Sequence, residues 1–462
     1  MTGSSALSLA GAPRPATSNP DRPGGSPSVG IVGGGILGIG IALRLAEAGA
    51  RVTVLERGAT AGGLAGSLDF GGHQVDRFYH VVTPSDTRML AMAEELGLHD
   101  QVRFSEVGAG FFIDGELHDL DGIGDFLRFR PLTPTQRLRL AWFVAMCQLR
   151  RGYGRLDDVP LEKWLRRHCG PGVVARIWKP LLDSRFDGNP DGLPATYLWA
   201  RTKRMSKART GAGQSEQMGC IVGGHQRLID AMAERAAELG VELRCGVPVS
   251  GLVREDGRVE GVELEDERMR FDLTIATVQP PALRFLLPAD LHGLLASYPQ
   301  RYQGVVCVLL KVRRELLPYY AVNICEPTPM TTAVEASHVV GTDHTDGLRL
   351  VYLPKYCGPD ATEMTESDES LYRRFTAQLH KMAPHFSHDD VVDWTVQRAK
   401  IVEPVHPLGG GRRIPPVFPG VPGLALASNF QIYPWLLNGE SVLRFAESVA
   451  HAAATRVGVG HA

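Results

Sequence analysis

The stretch from Val29 to Ser67 constrains this chain most. It reads Val-Gly-Ile-Val-Gly-Gly-Gly-Ile-Leu-Gly, then a helical run, then Val-Thr-Val-Leu-Glu-Arg, then Ala-Gly-Gly-Leu-Ala-Gly-Ser. Gly33, Gly35 and Gly38 have the Gly-x-Gly-x-x-Gly spacing, a weak signal by itself. Its context sharpens it. An apolar run ending at Val32 predicts a strand, Ile39–Ala48 a helix closed by Gly49, and Arg51–Leu55 a second strand. Glu56 follows 18 residues after Gly38, at the end of that second strand. This is the setting of a dinucleotide site. Gly33 permits a tight turn. Gly35, with Ile36 and Leu37 after it, lets the backbone approach a pyrophosphate, which sits at a helix N-terminus where N–H groups point outward. Gly38 lets helix and strand pack closely, and Glu56 can accept hydrogen bonds from a ribose diol. An ordinary Gly-rich turn in a parallel sheet is the plainer alternative.

A second glycine pair, Gly62-Gly63, follows Glu56 and Arg57 and precedes Leu64. The joined run resembles the FAD fingerprint of the flavin amine oxidase, protoporphyrinogen oxidase and phytoene desaturase superfamily. In that family the loop after the acidic residue passes the ribityl and diphosphate. The resemblance implies FAD, and an α/β fold: a Rossmann-like FAD-binding domain with a parallel sheet, and an inserted α+β substrate domain.

Composition agrees with a globular enzyme. The 462 residues exceed one ordinary core, so two domains are expected. A formal net charge of −2 gives no sign of a nucleic-acid partner. Seven scattered cysteines, with no Cys-x-x-Cys, argue for reduced thiols in the cytoplasm and against a zinc site. No metal is expected. Residues 1–28, rich in Ser, Pro, Gly and Ala, read as a disordered tail. No uncharged apolar segment is long enough to span a bilayer. Leu138–Leu149 is the most membrane-like stretch, flanked by Arg137, Arg150 and Arg151; it reads as a core helix, with a peripheral membrane contact left open.

The pattern along the chain predicts a discontinuous FAD-binding domain at 29–110, 218–285 and 395–462. The substrate-binding domain would take 111–217 and 286–394. A helix at Asp86–Leu98, a hairpin turning at Asp114-Gly115, and helices broken at Gly152 and Gly154 are expected early. Leu228–Leu239, Ser367–Met382 and Ser441–Ala454 read as later helices. Val305–Val312, Leu348–Leu353 and Gly423–Ala427 read as strands.

The resemblance assigns further residues. Val249 matches the valine that lies against adenine. Ser428-Asn429 replace the usual Gly-Asp near the C-terminus, and Asn429 can hydrogen-bond a ribityl hydroxyl. Gly439, Ser441 and Val442 open the last helix, with free N–H groups near Ser441 and Val442 facing the flavin pyrimidine. Phe78-Tyr79-His80, Trp178-Lys179-Pro180 and Gln431-Ile432-Tyr433-Pro434 look like a bacterial subgroup distantly similar to UDP-galactopyranose mutase. Trp435-Leu436-Leu437 replace a charged loop of that group.

Candidate catalytic residues follow from the same resemblance. Tyr79 and His80 lie in the segment that borders the isoalloxazine; His80 is a base, a donor or a structural histidine. Lys311 is matched loosely to a lysine near flavin N5, against a strand-end lysine reaching solvent. Tyr433 walls the site or packs in the core. The basic run Arg201, Lys203, Arg204, Lys207 and Arg209 reads as a solvated loop or as an anion site at the cleft entrance. The expected reaction is oxidation of a small organic substrate, neutral or anionic, by dehydrogenation or desaturation through hydride transfer to flavin. A secondary-metabolite or sugar pathway is its expected setting. A non-redox mutase of a nucleotide sugar and a flavin-bearing scaffold are the alternatives. No second dinucleotide motif appears, so O2 or a redox partner is the expected electron acceptor.

Overall fold

The structure, a computed structural model, describes residues 25–120, 122–205, 216–296 and 301–460. Most of the expected tail, residues 1–24, lies outside these, as do Lys207 and Arg209. At the tail's other end the expectation is corrected, since Ser28 belongs to the fold. Ser28 opens the first strand, is buried, and donates from its backbone and its hydroxyl to Asp272, both at 2.8 Å.

Five parallel strands form one sheet, in the order Leu424–Leu426, Leu273–Ala276, Ser28–Val32, Arg51–Glu56, Glu242–Cys245. Helices Ile36–Glu47, Thr87–Glu95, His225–Glu238 and Gly439–Val457 pack through Leu43, Met92, Met232 and Phe445 into one core against this sheet. Gly40 sits where the first and last of these helices approach; a Cβ there would come 3.2 Å from Ala446 Cβ. The other face carries the antiparallel strands Gly251–Glu255, Arg258–Glu263 and Arg268–Arg270, packed through Leu252, Val259 and Val262.

A seven-stranded mixed sheet forms the second layer system. Its order is Val391–Pro404, Tyr302–Val312, Arg349–Cys357, Thr332–Glu335, Ala321–Ile324, Ala109–Ile113, Glu116–Asp119. Tyr302–Val312 is buried along its whole length, as the nearly continuous apolar run Val305–Val312 predicts, and pairs antiparallel on both sides. Helix Asp368–Met382, whose Ser367 N-cap accepts the Ser370 N–H at 3.3 Å, covers one face through Leu371, Phe375 and Leu379. Between the strands at 116–119 and 216–221 the chain is mostly helical. Pro134–Leu149, Leu161–Cys169 and Ala195–Met205 share a separate core around Phe143, Trp164 and Trp199.

The helices, strands and hairpin turn expected from the sequence form close to their predicted positions. Asp114 and Gly115 both take positive φ, 56° and 79°, the backbone a tight hairpin turn requires. The divisions expected at 110/111 and 394/395 fall inside strands Ala109–Ile113 and Val391–Pro404, both members of the seven-stranded sheet.

Candidate active site

The glycine loop joins the first strand to helix Ile36–Glu47. Gly33 has φ 113°, and a Cβ there would lie 2.5 Å from Thr277 Oγ1. A Cβ on Gly38 would lie 2.0 Å from the Gly33 carbonyl oxygen, so only glycine allows this turn. Gly35 is the opposite case: a Cβ there meets nothing within 4 Å. That open face sits at the N-cap of a helix with no side-chain cap, beside the N–H groups of Ile36 and Leu37. Gly62 donates to the Gly34 carbonyl at 2.9 Å, and Gly35 bridges Gly62, so the two glycine motifs form one surface. Gly63 and Leu64 continue it in a short 3-10 turn.

Glu56 is held from two sides. Its Oε2 accepts the Gly34 N–H and its Oε1 accepts the Gly58 N–H, each at 2.7 Å. Remaining lone pairs on the carboxylate can still accept from a ribose. Arg57 is exposed. The loop carrying Val249 is tied to the same strand end, since Val247 donates to the Glu56 carbonyl at 2.9 Å. Asn429 donates to the Val402 carbonyl at 3.1 Å, while its buried Oδ1 has no partner among the protein atoms. A ligand hydroxyl would satisfy it. The uncapped helix start, the open Gly35 face and this orphaned acceptor fit a flavin dinucleotide.

The last helix departs from expectation. The Ser441 N–H donates to Asn438 Oδ1 at 2.9 Å and the Val442 N–H to the Asn438 carbonyl at 3.0 Å. Both groups expected to be free are therefore taken by the N-cap, as Asn at this position dictates. Gly439 instead makes room for a neighbouring helix: a Cβ there would lie 2.4 Å from Met89 Sδ.

The four candidate catalytic residues do not share one cavity. Tyr433 lines a cavity with Tyr197, Arg201, Glu403, His406 and Asn429. Its hydroxyl donates to Asp157, and with burial this pushes the phenol far up. Tyr79 and His80 line a second cavity with Asp76, Cys220 and Tyr352. His80 and His225 lie 4.8 Å apart by ring centroid, on either side of Asp76. Burial would raise the Asp76 carboxyl, but the two imidazoles outweigh it and hold it well below the usual range. His80 Nδ1 is buried, 3.8 Å from Asp76 Oδ2, and makes no hydrogen bond. Lys311 is in neither cavity and does not reach solvent. It is buried, donating to the Phe70 carbonyl and lying 2.9 Å from His73 Nδ1.

The described part of the basic run, Arg201, Lys203 and Arg204, is not an exposed loop. These residues end helix Ala195–Met205, and their charges turn inward. Arg204 makes a two-pronged pair with Asp86 at 3.0 and 3.1 Å, and Lys203 donates to the Arg150 carbonyl at 2.7 Å. Arg201 pairs with Glu403 and stacks on Tyr197, 3.6 Å from the ring centroid. Arg185 pairs with the other oxygen of Glu403 and stacks on Tyr356 at 3.4 Å. The Tyr356 hydroxyl lies 3.4 Å from that of Tyr79, so this ion cluster links the two cavities. Burial would raise Glu403, but the two guanidiniums bring it down to about 2. Burial lowers His406 to about 3 against the pull of Glu403, so its imidazole is neutral near pH 7. Arg185, Glu403 and His406 carried no signal in the sequence, because no local motif joins residues so far apart.

Residues 38–435 match the profile of the flavin-containing amine oxidoreductases. The chain belongs to this family. FAD is accordingly its cofactor. Among curated proteins it is similar to the phytoene dehydrogenase of Streptomyces griseus, 31% identical over 309 residues, which is 60% of this chain and 59% of that protein. It is also similar to the hydroxyneurosporene desaturase of Cereibacter sphaeroides, 26% identical over 315 residues, 59% of each. The chain thus matches about three fifths of these relatives' length. Solved structures share the fold over nearly the whole chain. An oxidoreductase from Methanosarcina mazei superposes with a TM-score of 0.71 at 18% identity, covering 92% of this chain and 100% of that one. A reduced UDP-galactopyranose mutase gives 0.71 at 16%, covering 93% and 96%. Among the described residues no helix is long and apolar enough to cross a membrane.

Proposed function

We propose that this member of the family is an FAD-dependent oxidoreductase acting on a small organic substrate that carries an anionic group. One observation supports the substrate class most. Arg185 and Arg201 share the single carboxylate of Glu403 beside the Tyr433 cavity, so the cluster keeps one positive charge more than it neutralises. Arg185 Nε is buried without a hydrogen-bond partner. An uncompensated cation drawn largely out of water is costly, and a substrate carboxylate or phosphate would offset it. Bound FAD supplies a two-electron acceptor. The protein's part is to orient the substrate through Arg201, to exclude water with Tyr197 and Tyr433, and to offer the neutral His406 as a hydrogen-bond partner.

In this reading the glycine loops, Glu56, Arg57, Val249 and Asn429 hold FAD. The FAD-binding domain is assembled from three chain segments. Tyr79 and His80 act from the second cavity, through Tyr356 and Arg185. The names of the curated relatives favour dehydrogenation or desaturation of a carbon skeleton. The excess cation also suits the diphosphate of a nucleotide sugar, which keeps a mutase that consumes no oxidant as the second reading. Seven free cysteines fit a cytoplasmic protein. Oxidant stoichiometry tests the reading. One equivalent of O2 or of an artificial acceptor should be consumed per substrate turned over. Turnover without oxidant, seen only after dithionite reduction, would establish the mutase instead.

A further inference from the structure

We infer that the face formed by helices Ile123–Arg128 and Pro134–Leu149 docks on a phospholipid surface bearing anionic headgroups. Helix Pro134–Leu149 buries Leu140, Phe143 and Cys147 in the helical core. Its opposite face is also apolar. Leu138, Trp142 and Leu149 are 70%, 61% and 76% exposed, and Ala141 and Ala145 between them are exposed too. At about 100° per residue these positions fall on one side of the helix. Leu127, 65% exposed, extends the patch onto the preceding helix. Four large apolar side chains open to water on adjoining helices need a partner.

Charge selects the partner. Between Phe126 and Leu156 the chain has seven arginines and no carboxylate, although the whole protein has a formal net charge of −2. Among the described residues only Arg128 of the seven is paired with a carboxylate, that of the preceding Asp125, at 3.3 Å. Arg137 and Arg150, at the two ends of the exposed stripe, donate to the carbonyls of Leu127 and Gly152, so neither bond offsets their charge. Arg139 and Arg151 are exposed. A second copy apposed through this face would bring like charges together. An anionic lipid surface would neutralise them while burying leucine and tryptophan at the headgroup boundary, where tryptophan is favoured. At about 24 Å for 16 residues the helix would lie in the interface plane.

Flotation of the FAD-loaded protein with vesicles tests this. Binding is expected to vesicles of phosphatidylcholine mixed with phosphatidylglycerol, to be far weaker with phosphatidylcholine alone, and to fall with added salt. Arg150→Gln and Arg151→Gln should each weaken it about fivefold. The double variant Leu138→Asp, Trp142→Asp should not float, yet should keep its flavin and its turnover of a soluble substrate, since both side chains already face water. The inference fails if the wild type binds neither vesicle, or if the double variant floats like wild type. It also fails if the wild type is a dimer that the double variant turns into a monomer, which would give the face to a second copy.

Discussion

Glu440, in the first turn of the last helix, accepts the backbone N–H of Arg88 at 2.6 Å. The carboxylate thereby caps helix Thr87–Glu95, whose own N-cap residue, Asp86, is engaged with Arg204 and the Thr83 N–H. Two helices far apart in sequence are tied end to end. Glu440→Ala should lower stability by about 1–2 kcal/mol, the usual worth of a cap. Thermal unfolding of wild type and variant at equal FAD saturation checks this.

Glu56 binds two loop N–H groups and keeps lone pairs that a ribose could use. Glu56→Ala should therefore weaken FAD retention about tenfold to a hundredfold, the range for charge-assisted hydrogen bonds. Gly35→Val should also release FAD, because the added side chain enters the open face where the pyrophosphate is expected. Flavin absorbance after gel filtration reports both. Yellow protein at full occupancy from either variant would show that the loop is not the cofactor's main hold.

Acid should destabilise the fold through two groups near Tyr433. Glu403 is lowered in the folded state to about 2, so its contribution is whole above the unfolded carboxyl value and is lost as pH falls toward 2. His406 is lowered to about 3, so between an unfolded value of about 6.5 and that point the unfolded chain binds more protons. Stability should fall as pH drops through this window. His406→Gln should flatten the upper part of the fall, leaving the carboxylate part below about pH 4.3. Tm measured against pH for both proteins resolves the two.

The nucleotide-binding half was legible in the sequence because its signals are local. Turn, helix start and strand end lie within forty residues of one another, and Gly33 and Gly38 answer steric demands that only glycine meets. Helix Asp368–Met382 was legible for the same reason, its cap and its apolar period being written in one segment. The cluster of Arg185, Arg201 and Glu403 was not, since it is assembled from helices Lys179–Arg185 and Ala195–Met205 and strand Val391–Pro404. That strand is only partly buried and alternates weakly, so no clear period marks it. Lys311 misled because a lysine at a strand end normally reaches solvent, whereas here the Phe70–His73 hairpin closes over it. At the last helix, Ser441 and Val442 were expected to offer free N–H groups, and the capping by Asn438 that consumes them carried no weight in that expectation.

Anaerobic flavin reduction tests the central claim most directly. Candidate substrates are mixed with FAD-loaded protein without an oxidant, and loss of flavin absorbance is followed in wild type and Arg201→Gln. Anionic substrates should bleach the wild-type flavin, while their neutral esters should need about tenfold to a hundredfold higher concentration, the cost of a lost charge-assisted bond. Arg201→Gln should erase that preference while FAD stays bound. Equal bleaching by acids and esters in the wild type, or an undiminished preference in Arg201→Gln, would contradict the account.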